Sequence, residues 1–412
     1  MHMPIPRVLG PPYCVVVSLL ISGLAMACTG AAPQHALQTV RDSAGITIVE
    51  DRDTNWATTT AWHVDTTPMV SIGVVEGPAE YRFSGISGVV GLPKGEIAVA
   101  DNGSGQVRFY DANGRFVKAI GRRGEGPGEF RFMSYLHRYP GDSLIVWDFP
   151  QRRFTILSDD GALGRVVPGP DLPGFYFMVN VEPFADGALL GSITAPSFDL
   201  GSAAPGFHRD TTFYFRYDPG TQTLDTVAAL PGSAEYVGTR DGRKAVMTPW
   251  FNAEPVVAVD GARMFFGPAT AFEVRSYSET GALTRVLRLD RPDAPVTGEL
   301  IAAALQRRLA NARNDNARRQ IEAHKNDVPY PKTLPAYGAL MVDADTDLWV
   351  AQYPTHGEGL STWTVFDPTG HLLGEVATPP RLDVYDIGSD YVLGVRQDSL
   401  DVEHVVMYAL EK

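Results

Sequence analysis

Cysteine is nearly missing from this sequence: the 412-residue chain holds two, Cys14 and Cys28, both close to its start. A disulfide framework is therefore excluded for everything downstream, and a chain of this length can bury a sizeable core without one. Basic side chains are in deficit, 35 Lys and Arg against 48 Asp and Glu. That balance argues against a nucleic-acid partner, because phosphate neutralisation needs Lys and Arg clusters. Long apolar runs are also scarce. The stretch Cys14–Ala27 falls short of the roughly 20 apolar residues that a bilayer core demands. The nine histidines show no metal-ligand spacing: no pair sits at a three- or four-residue helical offset.

What the start does carry is an export signal. Arg7 and the terminal amine form a positive n-region, and Cys14–Ala27 has the length of a signal-peptide h-region. The segment closes with Leu24-Ala25-Met26-Ala27-Cys28, a small-residue box ending in Cys, similar to the recognition sequence for diacylglyceryl transfer. Cys28 is thus the expected lipid-attachment residue of an exported, membrane-anchored lipoprotein of the cell envelope. The alternative is ordinary cleavage after Ala25-Met26-Ala27, which releases a soluble exported protein. Residues 1–27 read as the signal peptide. Residues 28–44, rich in Ala, Gln and Thr, read as a flexible tether, and residues 45–412 as the folded body.

The chain has 41 Gly and 31 Pro, spread out rather than gathered in a linker, so many tight turns are expected. A unit recurs: turn glycine, alternating apolar strand, Asp, then a second strand ending in an aromatic and an Asp-Gly type turn. Its clearest copies are Gly95–Asp101 with Val107–Gly114 and Gly141–Asp148 with Phe154–Gly161, about 47 residues apart, in the range of propeller repeats. Weaker copies are Ala185–Leu190 with Phe213–Asp218, Val259–Phe266 with Val274–Gly281, Asp343–Val350 with Trp363–Gly370, and Tyr391–Val395 with His404–Tyr408. Period-2 alternation between such turns marks antiparallel strands. A small sheet with two apolar faces buries both when such sheets are arranged radially, which also leaves only short edges. The fold class is all-β, a six-bladed β-propeller, with Ile46–Glu50 as a candidate for the strand that pairs with the last blade and closes the ring. From about Val296 to Asp327 the pattern turns helical, with Leu300, Ile301, Ala304, Leu305 and Leu309 on one face and Thr297 as N-cap, giving a helical insertion between blades four and five. Its Arg and Lys are nearly offset by acids, so a solvated helix face is expected, with partner or lipid docking as the alternative.

Arg41-Asp42-Ser43-Ala44-Gly45-Ile46, the stretch Gly124-Glu125-Gly126-Pro127-Gly128-Glu129-Phe130, and the helical insertion before Asp343 and Trp349 together resemble bacterial six-bladed β-propeller lipoproteins, related to the NHL-repeat and TolB-like propellers. The resemblance spans about the whole mature chain and implies the fold. It leaves activity open, since propellers of this kind include binding scaffolds, lactonases and lyases.

Several motifs look like chemistry. Gly141-Asp142-Ser143-Leu144 spells the nucleophile block of GDSL hydrolases and Asp401-Val402-Glu403-His404 their Asp-x-x-His, yet the block fills a repeat turn whose sister copy reads Lys94-Gly95-Glu96-Ile97, so a strand-edge turn is expected. Asp343, Asp345 and Asp347 are spaced like EF-hand ligands, but Leu348 and Pro354 occupy positions that need Gly and a bidentate Glu. An Asp-rich hairpin is expected there and no cofactor, with calcium as the alternative. Gly124–Phe130 lacks the Lys-Ser/Thr of a nucleotide loop. As the crossing between two blades it reads most simply as glycines for a tight turn with solvated arginines; the alternative is an anion-binding nest of backbone N–H groups beside Arg122, Arg123 and Arg131. Tyr135 and His137 on an innermost strand, and Trp250, Tyr337 and His356 near strand starts or loops, complete the candidate ligand-binding residues; Tyr353 is a further aromatic in such a position, where aromatics line the channel mouth or form ordinary core between blades. The leading functional expectation is a scaffold binding a small molecule, glycan, peptide or protein. The alternatives are a divalent-metal-dependent hydrolase or lyase of lactonase type, with Asn180, Asn252 and Asp383 as candidate channel ligands, and a structural component of an envelope assembly.

Overall fold

Each repeat read from the sequence forms an antiparallel sheet, and the sheets are six. The computed structural model describes residues 38–52, 62–158, 161–172, 178–195, 199–240, 242–355 and 362–412; Cys28 and His356 lie outside them. Blade 1 runs through Ile86–Gly91, Ile97–Asp101, Gln106–Tyr110 and Phe116–Ile120, and blade 2 through Met133–Tyr139, Ser143–Asp148, Arg153–Ser158 and Leu163–Pro168. Blade 3 uses Val179–Pro183, Leu189–Ala195, Gly206–Asp218 and Thr223–Arg240 with a fifth strand, Arg243–Met247; blade 4 uses Val256–Asp260, Arg263–Gly267, Glu273–Ser278 and Leu283–Leu289. Blade 5 comprises Ala339–Val342, Leu348–Ala351, Thr362–Phe366 and Leu372–Ala377, and blade 6 Leu382–Ile387, Tyr391–Gln397 and Glu403–Glu411. Within each blade the first strand is innermost, so the loops that cross from one blade to the next share one face with the turns between second and third strands.

The second strands show why the radial arrangement is stable. Ile97–Asp101 and Leu348–Ala351 are buried at every position, because a neighbouring blade covers each sheet face. Six apolar layers lie between blades. Phe109 and Phe130 pack with Leu144 between blades 1 and 2, Trp147 and Phe154 with Phe215 between 2 and 3, and Tyr214 with Phe266 between 3 and 4. Phe265 and Phe272 meet Phe366 between blades 4 and 5, Trp349 and Trp363 meet Tyr408 between 5 and 6, and Tyr110 meets Leu393 and Met407 between 6 and 1. The sixth layer closes the ring. Aromatic side chains of this size dominate such layers, since each removes on the order of 150–250 Å² from water.

Two sequence expectations are corrected. Ile46–Asp51 does not close the ring: it pairs in parallel with Leu283–Leu289, on the outer edge of blade 4. Closure belongs to Val70–Ile72, which pairs with Glu403–Glu411 as the outer strand of blade 6, helped by His63–Val64. The reason is chain connectivity, because Val70–Ile72 leads through residues 73–85 into the first strand of blade 1, whereas Ile46–Asp51 is held in a hairpin with Gln38–Ser43. That hairpin turns through Ala44 (φ 57°) and Gly45 (φ 82°), both left-handed, the geometry a tight two-residue β-turn requires. Residues 38–43, read from the sequence as part of a tether over 28–44, are therefore a strand.

The helical insertion is two helices, α1 (Gly298–Ala310) and α2 (Asp315–Asp327). The Thr297 side chain accepts a hydrogen bond from the Leu300 amide and caps α1, and Asn314 does the same for α2 through the Ala317 amide. The expected solvated face is only part of the account. Ala304, Leu300, Ile301, Leu305 and Ile321 pack with Trp250, Phe251 and Leu334 in a small seventh core. No helix among the described residues is long and apolar enough to cross a membrane.

Candidate functional site

Blade 3 and the helical insertion both exceed what a propeller needs, and they meet. The strands Gly206–Asp218 and Thr223–Arg240 run past the blade edge as a ribbon completed by Arg243–Met247. At its tip Arg240 reaches α2, with Nε 3.4 Å from Asp327 and a terminal nitrogen 3.0 Å from His324 Nδ1. Between ribbon, helices and the crossings into blades 4 and 5 lies a cavity of about 540 Å³, lined among others by Arg240, Trp250, Asn252, Arg308, Gln320 and Tyr353. Its volume falls within the range of roughly 300–1,000 Å³ typical of small-molecule sites.

Trp250 organises this wall. It is 5% exposed, with the His324 ring stacked on it at 5.6 Å and 10° and the Arg308 guanidinium 4.8 Å from its ring centroid. Burial, together with Arg240 and Arg308, draws His324 below the usual imidazole range, so it is neutral at pH 7. Burial likewise draws the Arg308 guanidinium below its ordinary value. Tyr353 is pushed up by burial and by the charge of Glu254. The Thr248 hydroxyl on the wall donates to the Glu235 carboxylate at 3.0 Å. Tyr337 also lines the cavity, from a nearly fully buried position: its hydroxyl donates to the Glu273 carbonyl at 2.6 Å and accepts from the Ala269 amide.

The crossing Gly124–Phe130 supplies its own anion. A Glu129 carboxylate oxygen accepts from the Gly126 amide at 2.8 Å, and the other pairs with Arg122 at 2.6 Å. These contacts, the amide first, hold the Glu129 carboxyl below its usual range. The amides of Gly124, Glu129 and Phe130 are spent on carbonyls within the loop or beside it. Arg131 pairs with Glu125 at 3.2 Å, and Arg123 donates to the Asn102 carbonyl. The Asp that ends the second strand in the two clearest repeats is structural as well. Asp101 accepts from the Ser84 amide and pairs with Arg108, and Asp148 accepts from the Arg131 amide and the Gln151 side chain.

A second cavity, about 240 Å³, occupies the central channel, with Val90, His137, Glu182, Val259, Met341 and Asp386 contributed by the six innermost strands in turn. His137 stacks on Tyr135 and stands 4.0 Å from Glu182, whose carboxyl is pushed up by burial, partly offset by the imidazole. Arg138 is clamped by Asp386 at 2.7 Å, the Tyr391 hydroxyl and the Gly91 carbonyl. Of the residues weighed as metal ligands, Asn180 donates to Ser192 and Asn252 to the Ala234 carbonyl, while burial pushes the Asp383 carboxyl up. Among the described residues no group of three or more His, Cys, Asp or Glu is arranged to hold a metal ion.

The apparent hydrolase motif dissolves. Ser143 donates to the Pro140 carbonyl at 2.9 Å inside a turn where Asp142 is left-handed, and His404 faces Asp398 at 3.2 Å in a turn on the opposite face of the ring. The Asp-rich hairpin of blade 5 converges on a cation from blade 6: Lys412 Nζ lies 2.8 Å from Asp343, 2.5 Å from Asp345 and 3.6 Å from Asp347.

Comparison with known proteins agrees with this architecture. The chain is a β-propeller of six blades, and its residues 76–157 match the model of the family DUF5128, described as a 6-bladed beta-propeller. A member of the DUF4221 family from Bacteroides vulgatus superposes with a TM-score of 0.52 at 9% identity, over 86% of this chain and 99% of that one. Weaker likenesses are virginiamycin B lyase from Staphylococcus aureus (TM-score 0.40, 10% identity, 85% and 99% covered) and a gluconolactonase from Xanthomonas campestris (0.40, 15%, 80% and 87%). At these identities the likeness is one of fold. No curated protein sequence matches the chain.

Of the candidate residues read from the sequence Trp250 and Tyr337 line the cavity, as does the further aromatic Tyr353, but sequence reasoning missed Arg240, Arg308, His324 and Gln320, which reach it only because the ribbon and helices fold over the crossing face. The available signal was the row of basic residues on an amphipathic helix, which reads equally well as a solvated surface.

Proposed function

We propose that this protein is an exported, lipid-anchored binding propeller that holds a small molecule in the cavity roofed by α1 and α2, without turning it over. The observation that carries the reading is the roofed cavity itself, about 540 Å³ with an aromatic and cationic wall, built by the two elements the propeller does not need for closure. Binding rather than turnover is supported by the state of the wall: the Thr248 hydroxyl is committed to Glu235, and His324 lies flat against Trp250 with its Nδ1 on Arg240. Export and anchoring rest on the sequence Leu24–Cys28 alone. The test is a thermal-shift screen of small molecules on the wild type and on Ala317→Trp, which fills the cavity from α2. Hits that stabilise the wild type and vanish in Ala317→Trp support the reading; hits of equal size in both proteins overturn it.

A further inference from the structure

We propose that the roofed cavity selects a singly charged anion with a flat apolar body, and that Arg308 is its charge partner. This deepens the reading above and rests on it. Arg308 projects from α1 onto the cavity wall, where its guanidinium lies over Trp250. Among the described residues no carboxylate pairs with it; the one attractive group acting on it is the Tyr353 phenol, and Arg307 repels it. A guanidinium held in one place by an indole face and drawn partly out of water, with no counter-ion, presents unused donors in a fixed fork, the geometry that carboxylates and related oxyanions fit.

The other groups on the wall sharpen the assignment. Arg240 is committed to Asp327 and His324 and has less to give. His324 is neutral at pH 7 and adds no charge. Glu254 is the wall's carboxylate and acts on Tyr353, so a second negative charge on the ligand meets repulsion. Phe251, Ile321 and Tyr353 supply the apolar surface for the rest of the ligand. A cationic spot of this kind stands out on a chain with 48 acidic and 35 basic residues.

The test uses an isosteric pair, indole-3-acetate and indole-3-acetamide, titrated calorimetrically into the full-length protein at low and high salt. A guanidinium–carboxylate ion pair, against a guanidinium hydrogen bond to an uncharged carbonyl, predicts that the acetate binds at least about tenfold tighter, with the advantage shrinking as salt rises. Arg308→Gln should abolish the preference while leaving acetamide binding within about twofold, and Arg308→Lys should restore part of it. Arg308 is exposed at the helix surface, so both variants should fold, which thermal melts verify. Equal binding of the two probes to the wild type, or a preference that survives Arg308→Gln, overturns the charge assignment and leaves the cavity as a binding site. Failure of both probes to bind in the millimolar range counts against the cavity as a ligand site and takes both readings down.

Discussion

Exchanging Asp347 for Asn should stabilise this protein at neutral pH, although it removes a carboxylate that faces a lysine. Three carboxylates, those of Asp343, Asp345 and Asp347, share the single ammonium of Lys412. Asp343 has the better place, with one oxygen accepting the Asp345 and Asp347 amides and the other the Trp349 indole N–H and Lys412. Asp347 is left with the weaker end of the lysine. Burial, then the Asp343 charge, push its carboxyl up to about 6 from an ordinary 3.8. Folding then holds a proton on Asp347 that the unfolded chain has released. Its contribution to stability is therefore intact below about pH 4, falls as pH rises towards 6, and stays low above that. A shift of about two units corresponds to about 3 kcal/mol at most, and sharing of the lysine brings the expected gain of Asp347→Asn to about 1–3 kcal/mol at pH 7.5. Urea unfolding at pH 7.5 and pH 4 measures it. The gain should be present at the first pH and nearly absent at the second. Asp343→Asn, which strips acceptors from buried donors, should instead destabilise by about 3–5 kcal/mol at pH 7.5. A less stable Asp347→Asn at pH 7.5, or the same gain at both pH values, refutes the argument.

Other outcomes follow from individual contacts. Cys28→Ala should convert a lipid-carrying membrane species into a soluble or unprocessed one, checked by intact-mass analysis of the membrane fraction; an unmodified chain starting elsewhere contradicts the anchor. Ser143→Ala removes a hydroxyl spent on the Pro140 carbonyl, so any esterase activity of the preparation should be unchanged and stability altered by no more than about 1 kcal/mol; loss of a robust activity would revive the hydrolase motif. Thr297→Ala removes the cap of α1 and should cost about 1 kcal/mol locally, read as faster amide exchange confined to α1 with the blades unaffected; uniform loss of protection would show that the helices and the ring unfold together.

The blades were legible in the sequence because each repeat carries its own punctuation. The alternating run Ile97–Asp101 and the turn at Asp111–Gly114 are local signals, and the fully buried second strands follow once a radial arrangement is assumed. The closing strand was not legible, because Ile46–Asp51 and Val70–Ile72 are both short β-prone segments and only the outer edges of blades 4 and 6 distinguish them. At Gly124–Phe130 the alternative reading as an anion nest overlooked that Glu125 and Glu129, inside the same motif, are the nearest anions to Arg131 and Arg122. The roofed cavity was out of reach for a different reason. Arg240, Trp250, Arg308 and His324 come from a ribbon, a crossing loop and two helices, and tertiary packing alone brings them to one wall.

The most direct test of the account sets its two surfaces against each other: a thermal-shift and affinity comparison of every anionic hit on the wild type, on Ala317→Trp and on the triple variant Arg122→Ala, Arg123→Ala, Arg131→Ala. Binding lost in Ala317→Trp and retained in the triple variant is the result the account predicts. Binding retained in Ala317→Trp and lost in the triple variant would move the site to the crossing loop and contradict it.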